Sequence, residues 1–242
     1  MSLRRPGLWF AYGLLFVFHT VVLFAPAPVG EWVKGETITP AMVWPAAGRF
    51  LAALNVFFPL IAGILTSDRL QRDLRLGMRE LQESTPLSPA AYVVTKYLGV
   101  LASMLLPLLV WTTAIAVLMA AIGHAPWSFV PATLVAFLTI TVPAFAFVVA
   151  FSIACPLVLP LPVYQVLFTG YWFWANFIPP QLFPTLNGTL VTPSGMFVSA
   201  LMKAPGADTL LKAALNVGVL AACTFGALAV LTGALRRRAR LA

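Results

Sequence analysis

The chain has 242 residues, of which 61% are hydrophobic and only 9% charged, with a formal net charge of +8. An ordinary soluble domain carries about 25% charged residues, and no soluble fold of this size hides so much apolar surface, whereas a bilayer solvates it directly. The basic residues are not gathered on a face with aromatic platforms, so no nucleic-acid partner is expected.

A membrane-spanning helix needs about 20 apolar residues. Apolar stretches near residues 8–24, 48–66, 92–122, 129–155, 163–178 and 209–235 predict six transmembrane helices in one all-α integral membrane domain, residues 1–242. The first follows Arg4 and Arg5 and precedes Ala25-Pro26-Ala27, the outline of a cleavable signal peptide. Pro28 disfavours cleavage there, and removal would invert the charge pattern of the remaining helices, so an uncleaved first span is expected. Asn55 and Pro59 lie in the second span, Pro107 in the third and Pro143 in the fourth; each proline removes a helical donor and marks an expected kink.

The fifth segment contains Gly170, and its Tyr171, Trp172, Phe173 and Trp174 are expected in the interfacial aromatic belt. Between the fifth and sixth spans, Pro179, Pro180, Pro184, Pro193 and Pro205 punctuate a stretch that still holds the apolar pieces Leu190–Val191 and Gly195–Met202. Too short to span and too apolar for a free loop, this stretch is expected to be a re-entrant outer segment.

Six crossings with a cytoplasmic N-terminus place Arg4, Arg5, Arg69, Arg72, Arg75, Arg79, Lys96, Arg236, Arg237, Arg238 and Arg240 on one side. The other side receives Lys34, Arg49, Lys203 and Lys212. That asymmetry predicts that both termini are cytoplasmic.

Charge is concentrated between the second and third spans, in a cytoplasmic segment of residues 67–91. Read as a helix, Asp68 to Ser84 places Leu70, Leu74, Gly77/Met78 and Leu81 on one apolar stripe and charged residues elsewhere. Asp68–Arg72 and Arg79–Glu83 are opposite charges at i,i+4. Pro86 and Pro89 separate this amphipathic helix from the third span.

Gly77, Glu80, Leu81, Pro86, Ser88, Tyr92 and Lys96 fall in register with G-T-x-E-L-L-x-x-x-P-x-S-R-x-x-Y-x-x-x-K, and the segment resembles the corresponding one in type-2 ABC transporter permeases. Met78, Gln82 and Pro89 depart from that pattern. The resemblance implies a transmembrane permease that works as a homo- or heterodimer in the plasma (inner) membrane of a bacterium. It implies export, powered by ATP and Mg on a separate cytosolic ABC ATPase subunit. The segment between spans two and three would be the coupling helix that docks on the ATPase. Arg72, Arg75, Gly77, Arg79, Glu80, Leu81, Glu83, Pro86 and Ser88 are the expected coupling residues, with docking carried by charge complementarity.

This chain has no G-x-x-x-x-G-K-[ST] loop, no HExxH and no G-x-S-x-G, so neither ATP hydrolysis nor another catalytic activity is expected on it, and no cofactor or metal. His19 and His124 are isolated, and Cys155 and Cys223 read as packing residues. Intramembrane charges are nearly absent, which disfavours an ion-coupled carrier. The polar candidates for a cargo path are Asn55, Gln165, Asn176 and Asn216, and the apolar, aromatic surroundings suit a lipid-like, amphiphilic or hydrophobic-peptide cargo. The alternative is a polytopic membrane assembly or sensor protein whose charged helix binds another cytosolic partner.

Overall fold

The computed structural model describes residues 6–24, 37–75 and 88–240, and the side chains of 9–21, 37–73 and 88–237. Among them the chain is helical and contains no strand. Four helical stretches are long and apolar enough to cross a membrane: Pro40–Asp73, Pro89–Ala121, Phe129–Leu157 and Ala207–Arg237. At 1.5 Å per residue these reach about 44–51 Å, more than a hydrocarbon core of about 30 Å requires. Large apolar side chains point outward, among them Phe10 (76% exposed), Val166 (73%) and Phe225 (72%), as expected of a surface solvated by lipid.

Helix α1, Pro6–Phe24, is shorter. Tyr12, Leu15 and His19 recur at helical spacing and are buried, while Phe10, Leu14, Val17 and Val21 face outward. His19 donates through Nδ1 to the Leu15 carbonyl at 2.9 Å and packs against Phe58, so it is a core residue.

The second stretch begins eight residues earlier than the hydropathy suggests. After a 3-10 turn, Pro40–Met42, helix α2 runs Val43–Leu54 and buries Val43, Ala46, Ala47, Phe50, Leu51 and Leu54. Arg49 does not end it, because that residue lies on the exposed face. The helix breaks over Asn55-Val56-Phe57 and resumes as α3, Phe58–Thr66. Pro59 sits in the first turn of α3, where its missing N–H leaves the Asn55 carbonyl without the usual helical donor. Buried Trp172 donates its indole N–H to the Val56 carbonyl at 2.8 Å. Trp172 is fully buried, so it repairs this break and does not belong to an interfacial belt.

Ser67 and Asp68 turn the chain into α4, Arg69–Arg75. The remainder of the helix expected to Ser84 lies outside the described residues. Helix α5, Pro89–Ala121, starts at a capped proline: the Ser88 hydroxyl accepts from the Ala91 amide at 3.2 Å. It remains a continuous helix across Pro107.

In the fourth stretch, α6 (Phe129–Ala136) passes through a π-helical turn, Phe137–Thr141, into α7 (Val142–Ala154). Pro143 cannot donate to the carbonyl four residues before it, and the wider turn absorbs that loss. A 3-10 turn, Cys155–Leu157, leads to α8, Leu161–Asn176, whose 16 residues rise about 24 Å. Gly170 does not interrupt it. After turns, α9 (Met196–Lys203) packs on α2 and α10 (Ala207–Arg240).

The long stretches, with α8 between the last two, alternate in direction, and α1 shares the direction of α5. Tyr12 meets Met104 and Phe16 stacks on Trp111, so α1 runs parallel to α5. One cluster gathers Leu70, Val93, Tyr97, Ile153 and Leu231, so the close of the second stretch, the start of α5, the end of α7 and the end of α10 lie together. This is the charged end of the molecule.

Candidate functional site

At the charged end, α4 is fixed to three neighbours. Leu70 is buried in the cluster just described. The Gln71 amide donates to the carbonyls of Pro156 and Leu159 in the α7–α8 connection. Asp73 accepts from the Tyr92 hydroxyl at 2.8 Å and from Lys96 Nζ at 2.5 Å, both on the first turns of α5. The opposite face of α4 presents Arg72 to solvent.

Of the expected coupling residues, Arg72 is thus exposed and Ser88 caps α5. Arg75 closes α4, with its side chain outside the described set. Gly77, Arg79, Glu80, Leu81, Glu83 and Pro86 also lie outside the described residues. Asp73 was missed by the sequence reading. The signal was available: Tyr92 and Lys96 stand at i,i+4 on one face of α5, spaced to share an acid from the neighbouring helix.

The four amide side chains proposed for a cargo path each donate a hydrogen bond within the protein. Asn55 is buried and donates to the Ile140 carbonyl at 3.1 Å, in the π-helical turn, and to the Pro193 carbonyl at 3.5 Å. Asn216 donates to the carbonyls of Leu190 (2.7 Å) and Thr192 (3.1 Å). Together they bracket the segment ahead of α9, so its irregular backbone finds its partners inside protein. Gln165 reaches the Ser67 hydroxyl at 3.4 Å, and Asn176 donates to the Trp172 carbonyl one turn back.

An apolar concavity lies elsewhere, in residues that the search for polar groups passed over. A groove of about 400 Å³ follows α8. Helix α7 supplies Phe147, Phe151 and Cys155, and α8 supplies Tyr164, Leu167 and Phe168. Leu186 and Val191 close the far end, and Cys223 of α10 completes the wall. Its surface is almost wholly apolar, because the Tyr164 hydroxyl is hydrogen-bonded to Ser152 at 2.8 Å. A second apolar recess of about 450 Å³ lies between α1 and α5, around Phe16, Pro107 and Trp111.

Among the described residues, no three His, Cys, Asp or Glu side chains are grouped to hold a metal. Chemically, the arrangement offers a braced charged helix at one end and an apolar groove along the helices. No protein family matches the chain, and neither a curated protein nor a solved structure is detectably similar to it.

Proposed function

We propose that this chain is the membrane-spanning permease subunit of an ATP-driven ABC transporter that exports a lipid-like, amphiphilic or hydrophobic-peptide cargo. The observation that carries the reading is the clamp of Asp73 onto Tyr92 and Lys96, which ties α4 to the first turns of α5. Tyr92 and Lys96 are also the last two positions of the motif resemblance.

Nucleotide-driven closure of a cytosolic ATPase delivers work as rigid-body motion, and only a stiff element attached to the spans passes it on. Helix α4 meets that requirement through Leu70, Gln71 and Asp73, while exposed Arg72 remains for an acidic partner surface. The break at Asn55–Phe57 separates α2 from α3 and α4, so motion received at the charged end would be absorbed there. In this reading the chain crosses a bacterial inner membrane six times, α1 and α8 being the two shorter crossings. Both termini are cytoplasmic, residues 179–208 re-enter from outside, and two permease chains pair around the path. ATP and Mg belong to the partner ATPase.

Affinity capture of the detergent-solubilised chain from its native host tests this. A P-loop ATPase should copurify with the wild type and be lost when Arg72, Arg75 and Arg79 are reversed to Glu. Capture of a different cytosolic protein, with no ATPase, would favour the assembly or sensor reading.

A further inference from the structure

We infer that Asn55, Thr141 and Ser194 form a buried water site, where the break in the second stretch meets the π-helical turn and the segment ahead of α9. The Asn55 amide is its anchor. Nδ2 donates to the Ile140 carbonyl at 3.1 Å and the Pro193 carbonyl at 3.5 Å, while Oδ1 is buried with no hydrogen-bond partner among the described residues. Turning the amide over would set Oδ1 against two carbonyls, so its orientation is fixed and one acceptor is left over. The residues that follow those two carbonyls, Thr141 and Ser194, each carry a buried hydroxyl in the same condition.

The local backbone explains the Thr141 hydroxyl. Buried Thr66, Thr133 and Thr224 donate to the carbonyl four residues back in their helices. Thr141 closes the π-helical turn, where the ladder reaches back five residues, from the Val142 amide to the Phe137 carbonyl, and it makes no such bond. Three buried polar atoms on adjoining segments are costly unless something links them. Asn55 Oδ1 only accepts, whereas each hydroxyl both donates and accepts. Water donates and accepts too, and at buried sites it makes about three hydrogen bonds to such groups. A metal ion fits less well. The described acids are Asp68 and Asp73 at the charged end and exposed Asp208, paired with Lys212, so no described carboxylate balances a cation here. The site requires neither an ATPase partner nor transport, so it stands or falls separately from the permease reading.

The test uses the full chain in lipid nanodiscs. X-ray radiolysis makes hydroxyl radicals from bound as well as bulk water. Ile140 should therefore be oxidised severalfold faster than Ile153 of the charged-end cluster, although both are 2% exposed. Thr141→Val removes the hydroxyl and keeps the shape. It should lower the melting temperature by about 2–4 °C, the shift that one lost hydrogen bond produces, and bring Ile140 down to the rate of Ile153. Ser194→Ala should also lower it. The double variant should lose less than the sum, because two hydroxyls without a protein partner couple only through what they share. Equal oxidation of the two isoleucines in the wild type would overturn the proposal, and this comparison decides the matter if either substitution prevents folding. So would strict additivity, or a melting temperature that Thr141→Val leaves unchanged or raises, the result for a hydroxyl buried without a partner. Stabilisation by sodium or potassium chloride over choline chloride, lost in Thr141→Val, would place a cation there instead.

Discussion

Asp73 on α4 and Lys96 on α5 meet at 2.5 Å, and their side chains are 18% and 25% exposed. The pair is 23 residues apart in sequence and ties the close of the second stretch to the first turns of α5. A hydrogen bond between charged groups contributes about 1.5–3 kcal/mol where solvent is partly excluded.

Lys96→Met and Asp73→Asn should each destabilise the protein by about 1–3 kcal/mol. The double variant should lose less than the sum of the two, because they remove one shared interaction. Thermal unfolding of all three in the same detergent reads this directly, and strict additivity would deny the contact.

Gly63 on α3 faces the ring of Phe168 on α8 so closely that an added Cβ would lie 2.6 Å from Cζ. Gly63→Ala should therefore cost about 1–3 kcal/mol by overpacking, despite alanine's better helix propensity. Gly170→Ala, where nothing lies within 4 Å, should be neutral or stabilising. Gly63→Ala with Phe168→Leu should recover part of the loss. Equal melting temperatures for the two alanine variants would contradict the close approach.

Gly195 and Gly188 both adopt positive φ, 78° and 79°, but only Gly195 has a neighbour in the way, the Ile140 side chain. Alanine at either position should cost about 1 kcal/mol for the left-handed backbone. At Gly195 the clash should add about 1–3 kcal/mol more. The difference between the two melting temperatures isolates the packing of the segment ahead of α9 against the π-helical turn.

Asn216→Ala leaves the carbonyls of Leu190 and Thr192 without their side-chain donor, whereas Asn176→Ala removes a bond made within its own helix. Amide exchange in residues 186–195 should accelerate at least about tenfold in the first variant, the factor that corresponds to 1.4 kcal/mol of lost local stability, and little in the second. Equal exchange in both would mean that Asn216 does not hold this segment.

The helical class and the approximate positions of the long helices were legible in the apolar runs, because a bilayer demands length and hydropathy before anything else. Their ends were less so. Pro40 to Gly48 contains Pro45 and Arg49 follows, yet the helix includes them, because Pro45 needs no donor in a first turn and Arg49 faces outward. The break at Asn55–Phe57 was signalled by Pro59, but its repair by Trp172, 116 residues away, depends on tertiary contact and leaves no local trace. The same holds for Asn55 and Asn216, read as polar groups free for cargo. Their partners are backbone carbonyls of a segment whose fold the sequence does not dictate residue by residue. The groove escaped notice because it is built from residues indistinguishable from ordinary lipid-facing side chains.

The central claim, that α4 receives force from an ATPase, is tested most directly by a short crosslink from Arg72. A chain carrying Arg72→Cys in a Cys155→Ala, Cys223→Ala background has one thiol, since the sequence contains only those two cysteines. A thiol-to-amine crosslinker applied in native membranes should join it to a P-loop ATPase subunit, in a yield that changes when ATP and vanadate trap the closed state. A crosslink only to proteins without a P-loop, from a thiol shown to be reactive, would contradict the account.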